Sequence, residues 1–167
     1  MIYILSYLLI SAVLFFIGNN VNKKGNNLSI IKNEALFYII QFTWGLPMNI
    51  AGSLVSLVLI LMGHKPNKYG WYVNFELNVN FGLNLGMFIL TPYYSSNEFK
   101  NHECGHGVQN LYLGIFTPMV IALPSAGRFH IRRLKKKMGK ELKTGYYDIW
   151  FENQANDLGD AIADNFD

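Results

Sequence analysis

The sequence predicts an α+β membrane protein: an N-terminal pair of transmembrane helices, a β-hairpin, then helices that carry a metal-ligand motif. Three observations predict it. Two long uncharged apolar stretches occupy most of the region before residue 64. A period-two pattern then runs from Trp71 to Ile89. Beyond it lies His102-Glu103-Cys104-Gly105-His106, an H-E-x-x-H run in a chain with only four histidines. The length suits one domain, in which 1–66 form the membrane hairpin and 67–167 the metal-binding part.

Composition agrees with a membrane setting. Hydrophobic residues make up 51% and charged residues 15%, against about 25% charged in soluble domains. Met1 through Ile17 carry no charged side chain, and about 17 residues is the lower limit for a spanning helix. No Lys or Arg precedes this stretch and no A-x-A site follows it, so an uncleaved anchor fits better than a signal peptide. The second stretch, Ala35 to Gly63, can span with tilt or kink at Pro47, where Gly45 and Pro47 weaken the helix. Gln41 and Asn49 within it need polar partners if they sit in lipid.

From Trp71 to Ile89 the odd positions are apolar, and the even positions from Asn74 to Gly86 are polar or glycine. This is strand alternation with one buried face. The run is too long for one strand, so a hairpin turning near Asn78 to Gly82 is expected.

The motif itself requires a helix. Ser95-Ser96-Asn97-Glu98 has the S-x-x-E form of a capping box, which satisfies orphan N–H groups at a helix start. Gly114 marks the C-terminal stop. Residues four apart share a helix face, so His102 and His106 can offer two imidazole nitrogens to one Zn²⁺. Glu103 is offset, where it reaches a metal-bound water rather than the metal. Gln109 shares the histidine face and can support a ligand. Gly105 could let another backbone approach closely, or could be neutral. The single Cys104 excludes an intramolecular disulfide; it points away from the histidine face, so packing is expected rather than ligation.

A third protein ligand is needed. Glu152 and Asn156 are four apart on a helix expected to start near Asp148, with small Ala155 between them. Glu152 would ligate the metal, and Asn156 would hydrogen-bond a ligating histidine and fix its ring. The alternative is a solvated glutamate on a surface helix.

H-E-x-x-H followed by E-x-x-A-D/N resembles the gluzincin zinc metallopeptidases. The chain is more closely similar to small bacterial membrane proteins with H-E-x-G-H-x-x-Q, a later P-S, and W-F-E-x-x-A. Here these are His102 through Gln109, Pro124-Ser125, and Trp150-Phe151-Glu152 with Ala155. The resemblance covers roughly the C-terminal half. It departs at Asn156, where gluzincins usually carry aspartate. It implies a zincin-like domain, and an edge strand above the motif helix that pairs with extended substrate; a purely structural hairpin is the alternative.

Leu111 to Ala126 is apolar but broken by Gly114, Pro118 and Pro124. If it crossed a bilayer, His106 and Glu152 would lie on opposite sides. A re-entrant or interfacial helix, or buried core, is therefore expected. It leads into Arg128, His130, Arg132, Arg133, Lys135, Lys136 and Lys137, which suits an anionic cytoplasmic leaflet or a solvated helix face. Placing this run inside puts the metal site on the cytoplasmic side of a multi-pass membrane protein. It also leaves Lys23, Lys24 and Lys32 outside, against the positive-inside rule. Nucleic acid is not an expected partner, because net charge is only +3 and no recognised motif accompanies the run.

The expected partners are a lipid bilayer and a peptide or protein substrate; the oligomeric state is open. In the expected chemistry, zinc held by His102, His106 and Glu152 lowers the pKa of a bound water, and Glu103 takes its proton and later passes it to the leaving amine. Tyr146, Tyr147 and His130 are candidate oxyanion donors. The alternatives are a non-catalytic membrane scaffold with a structural metal site and a metal-free assembly factor.

Overall fold

A computed structural model of the chain describes residues 32–141, 145 and 148–166. The first expected membrane helix, Met1 through Ile17, lies outside the described residues, as do Lys23, Lys24, Tyr146 and Tyr147. Among the described residues the fold is mixed α/β, with five α-helices and one four-stranded sheet.

Helix α1 (Glu34–Gln41) starts at Asn33, whose side chain accepts from the Leu36 amide at 2.9 Å. Helix α2 (Leu46–Leu61) carries Pro47 in its first turn. Proline lacks an N–H and is tolerated at that place, so the chain breaks before Pro47 rather than at it. The two helices meet at 89°. Of the two expectations for 35–63, a tilted span or a kink at Pro47, the chain takes the break, which falls just before Pro47. No single described helix is long and apolar enough to cross a membrane, although this bent pair passes by length and composition.

The bend is held by buried amides. Asn49 Nδ2 donates to the Gln41 main-chain and side-chain oxygens, both at 2.8 Å, and to the Gly45 carbonyl at 3.0 Å. Gln41 Nε2 donates to the Gly107 carbonyl at 2.9 Å, and Asn110 Nδ2 donates to Gln41 Oε1 at 2.7 Å. Gln41 and Asn49, the two amide side chains of the apolar stretch, thus find partners inside the protein, as burial requires.

The sheet contains β1 (Asn67–Tyr69), β2 (Tyr72–Leu77), β3 (Leu83–Leu85) and β4 (Phe88–Pro92), in the order β1-β2-β4-β3. Residues 78–82 do not close a hairpin. They carry the chain to the far edge, where β3 forms. The chain then reverses at Gly86, and β4 inserts between β3 and β2, antiparallel to β3 and parallel to β2. Alternation identifies strands but not neighbours, because pairing here is non-local. The polar positions are also not all solvated. Asn74 is buried and accepts from Thr91 Oγ1 at 3.0 Å, while Asn84 is buried and brackets Gly86 through both side-chain atoms.

Helix α3 (Asn97–Leu113) is capped by Ser96, whose hydroxyl accepts from the Phe99 amide at 3.3 Å. The cap is one residue later than the S-x-x-E pattern places it. Gly114, at φ +52°, ends the helix. A 3-10 turn (Gly114–Phe116) extends α3, the chain bends by 115° at Thr117, and a π-helical turn (Pro118–Ala122) leads straight into α4 (Leu123–Lys137). The segment after the motif helix thus folds back. Helix α5 (Trp150–Ala163) returns along α3. Phe37 of α1, Tyr72 and Ile89 of the sheet, Val108 of α3 and Leu158 and Ile162 of α5 share one core, so the described residues on both sides of residue 66 share a common interior.

Candidate metal centre

Close contact between α3 and α5 builds the centre. A Cβ on Gly105 would overlap the Ala155 carbonyl oxygen, and a Cβ on Gly159 would overlap the Asn101 carbonyl oxygen. Glycine at these two positions lets the backbones touch, at the cost of helix propensity. The touching helices bring the first turn of α5 against the histidine face of α3.

His102 and His106 stand one turn apart, with ring centroids 4.8 Å apart. Glu152 Oε2 lies 3.2 Å from His102 Nε2 and 3.3 Å from His106 Nε2. The three ligand atoms lie within 4.8 Å of one another; His102 and Glu152 are buried, and the His106 side chain is 11% exposed. Glu152 is completely inaccessible to solvent. This group can hold a metal ion.

The far side of each ring is also fixed. His102 Nδ1 is 2.7 Å from Asn156 Oδ1, and His106 Nδ1 is 2.8 Å from Gln109 Oε1. Gln109 Nε2 donates to the Phe151 carbonyl at 2.7 Å and to Gln154 Oε1 at 3.1 Å. The amide nitrogen is thereby committed to acceptors, so the Gln109 oxygen faces His106. An amide oxygen only accepts, so Nδ1 carries the proton and Nε2 presents its lone pair to the centre.

Electrostatics follow from burial and contact. Burial opposes the charge on Glu152, but the His102 and His106 rings, when charged and so protonated at Nε2 as well as Nδ1, outweigh it and hold the carboxyl well below the usual carboxylate range. Burial lowers the His106 pKa, yet Glu152 and Glu103 more than offset this and leave it raised. Burial raises the Glu103 carboxyl, against the pull of His106 and His102. A Cβ on Gly82 would overlap the Glu103 carboxylate, so the loop of residues 78–82 lies directly on that side chain.

The structure therefore brings together His102, His106, Glu152, Gln109 and Asn156. It does not bring His130 into the group: that residue is exposed on α4, its ring against Phe129. A solvent-facing position on a helix without buried residues separates it from the converging ligand atoms. Tyr146 and Tyr147 lie outside the described residues. Cys104 is buried in the apolar core, not in the cluster. Sequence reasoning assigns no role to Ser125, whose hydroxyl donates to Glu152 Oε1 at 2.6 Å. The Pro124-Ser125 pair is visible in the sequence, but no helical spacing connects it to Glu152. Gly82 is also missed; the only sequence signal is its place in the expected turn before the motif. Compared with known proteins, the chain matches no protein-family model, no curated protein and no solved structure.

Proposed function

We propose that the protein is a membrane-bound zinc metallopeptidase, with His102, His106 and Glu152 as ligands and Glu103 as general base. The observation that carries this reading is the convergence of two oriented Nε2 atoms and one carboxylate oxygen at 3.2 and 3.3 Å. Around a tetrahedral ion with bonds of about 2.0–2.1 Å, ligand atoms are about 3.3–3.4 Å apart; the two distances to Glu152 match this spacing, within a set of three ligand atoms that spans up to 4.8 Å. Two imidazoles and one carboxylate also match the donor set of catalytic zinc sites, which keep a fourth position for water.

Zinc bound here would supply an acidified water and a Lewis acid. The chain supplies the rest. Glu103 takes a proton from water and returns it to the departing amine. Asn156 and Gln109 keep both imidazoles in the ligating tautomer. β3, an edge of the sheet, comes directly after Gly82 and so offers a backbone for an extended peptide beside Glu103.

The membrane part of the reading rests on inverted burial in α2. Its buried residues are Met48, Asn49, Gly52 and Ser56, whereas Leu46, Ile50, Leu54, Leu57, Val58 and Leu61 are exposed. A helix in water buries its apolar stripe; this one shows it to the outside. Helix α4 adds Ile131 and Leu134, both 57% exposed, among six Lys and Arg side chains and no acidic residue. That combination fits an anionic bilayer surface.

A second reading is favoured by the burial of Glu103, which is 5% exposed beneath Gly82. A closed centre suits a structural metal staple in a membrane scaffold. Peptide hydrolysis by detergent-purified protein separates the two. The peptidase reading expects activity that Glu103→Gln abolishes while bound zinc is retained. Zinc-loaded wild type without hydrolysis, or activity equal in Glu103→Gln, contradicts it.

A further inference from the structure

The two oxygens of Glu152 have different surroundings. Oε2 faces His102 Nε2 and His106 Nε2. Oε1 receives the Ser125 hydroxyl at 2.6 Å, within the short range of a charge-assisted O–H···O⁻ bond. Ser125 sits in the first turn of α4, directly after Pro124 and just beyond the π-helical turn Pro118–Ala122. A π turn inserts one residue into the helical repeat and rotates the helix on its C-terminal side. The irregular segment thus sets the phase with which α4 meets α5. Both groups lie against the interior: Glu152 is fully buried and Ser125 partly so.

Resting on the metal-site reading above, we propose that Ser125 is a positioning residue that makes Glu152 a one-oxygen ligand. Its hydroxyl occupies Oε1 and stops the carboxylate from turning both oxygens toward the ion. One-oxygen ligation preserves a coordination position for water, which a catalytic centre requires and a closed staple does not. The same bond fixes the carboxylate plane, so the protein orients the ligand before metal arrives. Outer hydrogen-bond partners of this kind typically change metal affinity ten- to hundredfold.

Ser125→Val and Ser125→Thr form the test, because the two variants share one shape and differ in the hydroxyl. Full-length protein in detergent is titrated with zinc against a chelator, and its cobalt(II)-substituted form is examined by visible absorption. Ser125→Thr is expected to stay within about twofold of wild type, and Ser125→Val to bind zinc roughly ten- to hundredfold more weakly. The cobalt bands of Ser125→Val should also lose intensity, as a second Glu152 oxygen raises the coordination number. Unchanged affinity and spectrum in Ser125→Val overturn the proposal, as does equal weakening in both variants. A His106→Ala control keeps the two claims apart. If it binds zinc as wild type does, the centre itself is wrong; if it loses zinc while Ser125→Val behaves as wild type, only the role of Ser125 is wrong.

Discussion

Gly105 of α3 lies so close to Ala155 of α5 that a methyl group on it would overlap the Ala155 carbonyl oxygen. The same helix pair carries all three ligand residues. Alanine is about 1 kcal/mol better than glycine in a helix interior, so propensity alone favours Gly105→Ala. The contact reverses the sign: overpacking of this kind costs about 1–3 kcal/mol. Gly105→Ala should lower the thermal midpoint in detergent and weaken zinc binding, because Glu152 moves away with α5. An unchanged or raised midpoint with wild-type affinity would show that the helices have slack.

Asn156 and Gln109 make separable predictions. Asn156→Asp keeps an acceptor at His102 Nδ1 and adds charge, which raises ligand basicity, so zinc binding should tighten. Gln109→Leu removes the acceptor from His106 Nδ1 and leaves the Phe151 carbonyl without its 2.7 Å donor. Zinc affinity should fall roughly ten- to hundredfold. Competition titration measures both, and opposite signs would contradict the assigned tautomers.

The bend between α1 and α2 depends on Gln41, which bonds to Asn49, Asn110 and the Gly107 carbonyl. Gln41→Leu removes one hydrogen bond each from Asn110 Nδ2, which keeps the Gly45 carbonyl at 3.1 Å, and from the Gly107 carbonyl, which keeps its place in the helix ladder. Each lost bond costs about 0.5–1.5 kcal/mol. The variant should unfold at lower denaturant concentration than wild type; equal midpoints would mean that the network contributes nothing to stability.

These residues show what is legible in a sequence. His102, His106 and Glu152 are readable because each helix is local and the i,i+4 rule places Asn156 with Glu152. Strands are readable from alternation for the same reason. The order of β2 and β4 is not, because their parallel pairing joins segments whose connection runs through β3. The cap at Ser96 rather than Ser95 is a one-residue choice between two serines, and the hydroxyl bond to Phe99 decides it. The break before Pro47 shows in the sequence as a weak point, but its 89° angle depends on bonds from Gln41 and Asn49 to each other and on the distant Asn110 amide and Gly107 carbonyl of α3. Ser125 is invisible because its phase is set by an irregular turn that no regular period describes.

The exposed apolar face of α2 makes a prediction about surroundings. A fluorophore attached at Leu54→Cys, a position 61% exposed, should be quenched by brominated acyl chains after reconstitution of the full chain into bilayers. The same label at Lys68→Cys should be quenched less. Equal quenching at both sites, or none at either, would contradict lipid contact along α2.

The central claim is that one ion sits between His102, His106 and Glu152, and metal content tests it most directly. Detergent-purified wild type should carry about one zinc per chain, set by a three-ligand site, and His106→Ala, which removes one of the three, should carry almost none. Zinc-free wild type after exposure to the metal, or equal zinc in both proteins, would contradict the account.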